Sequence, residues 1–210
     1  MKSSLQSVTL AMTGASGAQY GLRLLECLLE AGVHVYVLIS QPAKVVLHME
    51  TDLHLPGRPR EIERVLRGRF QDKAGQLEVL GEKQWTAPIA SGSAVADAMV
   101  ICPCTTGTLS AIATGASRSL IERAADVTLK EKRKLLVVLR ETPLSEIHLE
   151  NMLRLSRMNA VVLPASPGFY HRPQRVEDLV DFIVTRVLDH LGVPNNLLPR
   201  WGDKRGGSTE

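Results

Sequence analysis

The chain has 210 residues, with 25 Lys and Arg against 22 Asp and Glu, and its formal net charge of +3 is too small an excess to recruit a polyanion. At 44% hydrophobic and 22% charged residues it falls in the globular range, which excludes intrinsic disorder and collagen-like repetition. No run reaches the roughly 20 apolar residues of a membrane-spanning helix, and Thr13, Gly14 and Ser16 cut the first apolar run short, so neither a membrane span nor a signal peptide is expected and the cytoplasm is the expected location.

Residues 8–12 read as a short buried strand ending in Thr13-Gly14. Leu22, Leu24, Leu25, Leu28 and Leu29 then recur at helical spacing until Ala31-Gly32 stops them. Residues 33–39, rich in β-branched side chains, predict a second strand, and residues 41–50 a second helix. Between Thr51 and Lys83 the pattern loosens. Pro56-Gly57, Pro59 and a charged stretch at 60–69 predict a peripheral excursion outside the main sheet, with room for a short helix. The alternation resumes with strands at 98–103, 135–139 and 160–163, and helices within 105–115, 120–132, 146–158 and 176–191. Such alternation implies an α/β fold, a mostly parallel sheet with helices on both faces and right-handed crossovers. One domain over residues 1–191 accounts for it, followed by a tail, 192–210, expected to dock in part and fray at its end. Cys27, Cys102 and Cys104 form no paired framework; Cys102 and Cys104 are expected on opposite faces of their strand, reduced and buried.

In an open parallel sheet, ligands sit outside the carboxyl ends of the strands, and the first strand-to-helix turn is a common phosphate seat. The segment TGASGAQYG lies there, and Gly14, Ala15, Ser16 and Gly17 are small enough to admit an anion to the N–H groups of a helix start. Its spacing, G-x-x-G-x-x-x-G, is neither the dinucleotide fingerprint, nor a Walker loop, nor a nucleophile elbow, so NAD, ATP and serine hydrolysis lose ground. The alternative is a tight turn in which Gly17 and Gly21 serve helix packing. Ser40 after the second strand, and Thr105, Thr106 and Thr108 after the third, add hydroxyls at the same edge, where helix N-capping is the commoner role. Their convergence favours a mononucleotide such as FMN over a dinucleotide.

Arg140 and Glu141 directly follow the strand at 135–139 and fall at that edge too, either as a surface ion pair or held toward a pocket by Thr142 and Pro143. Arg123 and Lys130, seven residues apart on one predicted helix, share a face, and Lys130 opens the cluster KEKRK, which solvation alone can explain. With aromatics at 4% and no recognition motif, nucleic-acid binding is disfavoured. The histidines show no zinc spacing, so no protein-held metal is expected. Trp85 in an irregular segment and Tyr170 beside Pro167-Gly168 are unusual places for core aromatics and point to a pocket wall or a partner surface.

Taken in order, TGASGAQYG, CPCTTGTLSAIATG, LIERAADVTLKE, RETPLSEIHLENM and PGFYHRP closely resemble the flavin prenyltransferase (UbiX-type) family over residues 8–191. The resemblance implies a flavodoxin-like Rossmann fold, a homododecamer, and FMN bound where subunits meet. It implies transfer of a dimethylallyl group from dimethylallyl phosphate to N5 and C6 of reduced FMN. The prenylated FMN would serve a separate decarboxylase, in ubiquinone biosynthesis. By similarity, Gly14, Ala15, Ser16, Ser40 and Arg140 hold FMN together with Thr105, Thr106, Gly107 and Thr108, and Arg123 contributes from a neighbouring subunit. Tyr170 and Arg186, with Lys130, hold dimethylallyl phosphate. Ser16, Glu50, Trp85 and Glu141 line the reacting region, and Lys130 also acts in catalysis. Two segments depart from the family pattern: TTGT stands where many members have Ser-Met-Lys/Arg-Thr, and Ser117-Arg118 replaces Ser-Asp-Asn.

Breaking an allylic C–O bond creates an allyl cation and a phosphate leaving group, and both need stabilising without a metal. Lys130, Arg186 and the Tyr170 hydroxyl can neutralise and hydrogen-bond the phosphate. Trp85 can face the cation, a contact worth about 0.5–2 kcal/mol. Ring closure at C6 releases a proton, which Glu50 or Glu141 can relay through Ser16; residue types do not choose between the two acids. Two other readings are weaker. A flavin-dependent cysteine decarboxylase would need a P-x-M-N-x-x-M-W stretch, which is absent, and a non-catalytic FMN carrier or assembly subunit would have no use for Lys130, Glu141, Tyr170 and Arg186.

Overall fold

In a computed structural model, which describes residues 5–70 and 77–199, strands and helices alternate as the apolar periodicity predicts. In chain order they are β1 (Ser7–Met12), α1 (Ala18–Glu30), β2 (His34–Ile39), α2 (Gln41–Glu50), α3 (Pro59–Phe70) and β3 (Leu77–Leu80), then β4 (Ala98–Cys104), α4 (Thr106–Ala113), α5 (Leu120–Lys130), β5 (Lys134–Leu139), α6 (Glu146–Arg157), β6 (Val161–Pro164) and α7 (Val176–Leu191). The six strands lie in the order β3-β2-β1-β4-β5-β6, and every neighbouring pair is parallel. A sheet covered on both faces needs strands that are apolar on both sides, and all seven residues of β4, AMVICPC, are buried. One apolar cluster joins the sheet to α1, α2, α3 and α7 through Leu28, Leu47, Leu66 and Val184. The opposite cluster reaches α4, α5 and α6 through Leu109, Ile121 and Leu155.

The sheet is one strand wider than the periodicity predicts. Residues 51–83, expected outside it, supply α3 and β3, and β3 pairs with β2 so that Val79 lies beside Val37. A strand of four residues, LEVL, is too short to give an alternation signal beside a charged helix. Five strands keep the flavodoxin order, and β3 extends them to the 3-2-1-4-5-6 order of dinucleotide-binding sheets. The outer edge of β3 is satisfied by α3. The Glu63 carboxylate accepts from the Val79 N–H at 2.9 Å, the Arg67 guanidinium donates to the Leu77 carbonyl, and the two side chains pair at 3.2 Å. Their i,i+4 spacing puts both on the face turned to the strand, which closes an edge that could otherwise pair with another chain.

Cys27, Cys102 and Cys104 are buried and unbridged. Burial pushes the Cys27 thiol up to about 12 and raises the other two as well. Cys102 and Cys104 do join opposite apolar clusters, but not because of their spacing, since residues i and i+2 of a regular strand share a face. A register shift between Ile101 and Cys104 turns Cys104 away. Beyond α7, Val193 is buried and Leu197 packs on the core, while residues 200–210 of the tail lie outside the described residues.

Candidate active site

The strand order reverses between β1 and β4, which is where an open α/β sheet leaves a crevice beyond its carboxyl edge. A cleft of about 250 Å³ lies there, lined by Thr13, Gly14, Ser40, Thr105, Thr108 and Ser119, with Glu82 and Glu122 at its side. Thr13 ties the two strand ends together. Its hydroxyl donates to the Pro103 carbonyl at 2.9 Å and accepts from the Thr105 N–H at 2.9 Å. Ser40 caps α2 by accepting from the Ala43 N–H at 3.1 Å, Thr105 caps α4 by accepting from the Thr108 N–H at 3.1 Å, and Ser119 caps α5 by accepting from the Glu122 N–H at 3.3 Å. The starts of three helices therefore meet at one cleft, and each carries partial positive charge suited to an anion. Ser40 and Thr105 therefore both cap a helix and line the cleft.

At α1 the N–H groups are already taken. Glu50, the last residue of α2, accepts from the Gly17 N–H at 2.8 Å and the Ala18 N–H at 2.9 Å, and the Ser16 hydroxyl donates to it as well. Desolvation raises the Glu50 pKa, but those three hydrogen bonds and the charge of Arg140 outweigh it and hold the carboxyl below its ordinary value. The glycines of this segment serve packing, as the alternative reading had it: Gly17 sits at φ 100°, and a Cβ on Gly21 would fall 2.5 Å from the Cys102 carbonyl oxygen. Gly14 also lines the neighbouring cleft, while Ala15 is buried and Ser16 exposed beside Glu50.

Arg140 follows β5, and its backbone N–H donates to the Cys104 carbonyl at 3.2 Å. Its side-chain Nε is buried with no hydrogen-bond partner among the described residues. An orphaned guanidinium N–H at the strand ends calls for an external acceptor, and the phosphate and ring edges of FMN supply acceptors of that kind. Tyr20, absent from the sequence-based candidates, belongs to the same neighbourhood. Burial raises its pKa, Cys102 adds to the effect, and the Arg140 charge opposes it. Its place inside TGASGAQYG was the available signal. Thr13 and Ser119 were also missed as cleft residues, because a lone hydroxyl at a strand end or helix start has no distinctive pattern.

A second cleft, of about 330 Å³, brings Tyr170 and Arg186 together with His171, Phe182, Thr185 and Asp189. It shares no lining residue with the first. Trp85, Arg123, Lys130 and Glu141 line neither cleft. Trp85 is 46% exposed, with the Lys83 ammonium 5.9 Å from its ring centroid. Lys130 pairs with Glu131, Arg123 donates to the Ala90 carbonyl and to Asp126, both at 3.0 Å, and Glu141 accepts from the Thr142 N–H at 3.0 Å. Thr106 and Gly107 open α4 beside the first cleft. Among the described residues, no cluster of His, Cys, Asp and Glu is arranged to hold a metal, and no helix is long and apolar enough to cross a membrane.

Comparison with known proteins shows the family. Residues 1–188 match the Flavoprotein family model. A flavin prenyltransferase UbiX of Pseudomonas aeruginosa is 58% identical over 205 residues, covering 98% of each chain. The chain belongs to the flavin prenyltransferase family. Solved flavin prenyltransferase structures share its flavodoxin-like fold. AnUbiX (PadA1), crystallised with FMN and dimethylallyl pyrophosphate, superposes with a TM-score of 0.83 at 38% identity, over 94% of this chain and 97% of its own. A dodecameric FMN-dependent UbiX-like decarboxylase from Escherichia coli O157:H7 superposes with a TM-score of 0.83 at 38% identity, over 93% and 99%.

Proposed function

We propose that this chain transfers a dimethylallyl group from dimethylallyl phosphate to N5 and C6 of reduced FMN. The observation that carries the proposal is the 58% identity, over 98% of both chains, to a flavin prenyltransferase. The geometry of the strand ends supports the same reading. Ser40, Thr105, Thr106, Gly107 and Thr108 would take the phosphate of FMN with Gly14, Ala15 and Ser16 alongside, and Arg140 would give it the unpartnered Nε–H. When bound, reduced FMN supplies the nucleophilic N5 and C6.

The protein's own residues do the rest. Tyr170, Arg186 and Lys130 hold the donor's phosphate and offset the charge that develops on it as the C–O bond breaks. Trp85 presents an indole face to the allyl cation, and an apolar wall keeps out water that would capture it. Ser16 already donates to Glu50, so a proton released at ring closure has a path through the hydroxyl to an ionised carboxylate. That bond favours Glu50 over Glu141 as the relay, with Glu141 near the reacting atoms as the second acid.

Among the described residues the Tyr170–Arg186 cleft and the FMN cleft share no lining residue, which supports a site that a second copy completes, with Arg123 reaching in from a neighbour. A dodecameric relative supports that arrangement. The prenylated flavin then passes to a decarboxylase, in ubiquinone biosynthesis, in the cytoplasm. The reading is tested by phosphate release from dimethylallyl phosphate under anaerobic conditions. Release that requires reduced FMN and matches it in amount is expected; release without flavin would make the protein a phosphatase and overturn the proposal.

A further inference from the structure

The Tyr170–Arg186 cleft holds more hydrogen-bonding capacity than those two side chains account for. Among the described residues, both ring nitrogens of His171 and the hydroxyl of Thr185 are buried without a hydrogen-bond partner, and both residues line the cleft. Buried polar atoms are normally paired, so three orphaned atoms beside one cleft mark a place built for a polar ligand. A neutral imidazole carries one N–H donor and a protonated one carries two, while a threonine hydroxyl always has one to give. These are donors looking for an oxygen-rich acceptor.

Their positions are fixed by packing. The His171 ring stacks on Phe182, with centroids 5.5 Å apart and planes 13° from parallel, and meets Tyr170 edge-on at 5.8 Å. On α7, Phe182, Thr185, Arg186 and Asp189 recur three and four residues apart, which places them on one stripe of the helix. Asp189 accepts from Arg186 at 3.1 Å and from the Asn195 amide at 3.4 Å, so the cation is preset at the cleft.

We infer that His171 and Thr185 donate to the phosphate of the prenyl donor, forming with Tyr170 and Arg186 a four-residue clamp. The inference rests on the reading that Tyr170 and Arg186 hold that phosphate. His171 is stacked beneath the clamp as well as part of it, so the variant that removes its nitrogens must keep the ring.

The test uses the FMN-loaded protein and inorganic phosphate, the product of donor cleavage, with binding read by calorimetry. H171F keeps the stack on Phe182, and T185V keeps the shape of the threonine. Each is expected to weaken phosphate binding by about tenfold or more, the loss typical of one hydrogen bond to a charged acceptor, and to raise KM for dimethylallyl phosphate while FMN affinity stays at the wild-type value. H171Q, which retains a donor, should recover part of the loss. R186A separates the two levels of the argument. If R186A loses phosphate but H171F and T185V bind it as tightly as the wild type, the clamp is overturned and the donor cleft stands. If all three bind phosphate normally, the donor cleft is wrong and the clamp falls with it.

Discussion

Glu50 combines two jobs at a single carboxylate. It fills the N–H groups that start α1 and it accepts from Ser16, so the group that anchors a helix is also the one that the proposed mechanism puts at the end of the proton path. Glu50→Gln should cost about 1 kcal/mol of stability, the scale of a lost helix cap, and should slow turnover without releasing FMN. Because its pKa is lowered on folding, the stabilisation is complete above the usual value of 4.5 and is lost as pH falls through the lower folded value. Urea midpoints of the wild type and Glu50→Gln, compared between neutral and strongly acidic pH, should therefore converge at low pH. A gap that does not change with pH would assign the effect to something other than the charge. The pairing of Glu50 with Ser16 was expected only through the family resemblance, and spacing could not show it or the capping of α1, since the two residues lie 34 residues apart on different elements and meet only once β1, α1 and α2 are assembled. Ser40 and Thr105 were legible, because a hydroxyl directly after a buried strand marks both a helix start and the ligand edge of the sheet.

At the scale of elements, α1 packs against β4 at the closest distance the backbone permits. Gly21→Ala would place a methyl group 2.5 Å from the Cys102 carbonyl oxygen, against the backbone of a central strand that has little freedom to retreat. A loss of about 1–3 kcal/mol is expected, the usual cost of overpacking a filled interior, and chemical denaturation measures it. Wild-type stability would show that the helix can shift away from the strand. Long amphipathic helices and fully apolar strands were readable as patterns, and the limits of α2 and α7 fall where capping and periodicity put them. β3 was not, because four residues carry almost no period and its partners, Glu63 and Arg67, look like ordinary surface charges until the strand edge is beside them. The opposite facing of Cys102 and Cys104 was also beyond the sequence, since it comes from a local register shift rather than from spacing.

Across the whole molecule, a filled core coexists with apolar side chains left on the outside. On α6, Ile147, Leu149 and Leu153 are exposed by 65%, 52% and 50%. Exposed apolar residues grouped on one helix suit a contact surface, and the dodecameric relative makes another copy of the chain the partner to test. Ile147→Glu is expected to shift the assembly to smaller species in sedimentation and to lower activity in parallel, because the two clefts then no longer meet. An unaltered sedimentation profile would mean that α6 faces solvent in the assembly. Composition and periodicity gave no sign that Tyr170 and Arg186 line a different cleft from Ser40 and Thr105; only the family resemblance, with FMN expected where subunits meet, pointed to a site shared between copies.

Attachment of a prenyl group to a flavin changes the flavin's mass, and that mass is the most direct readout of the proposed activity. After anaerobic incubation of the FMN-loaded protein with a reductant and dimethylallyl phosphate, the flavin extracted should be heavier by one dimethylallyl unit. Unmodified FMN recovered from folded, flavin-loaded protein would contradict the account.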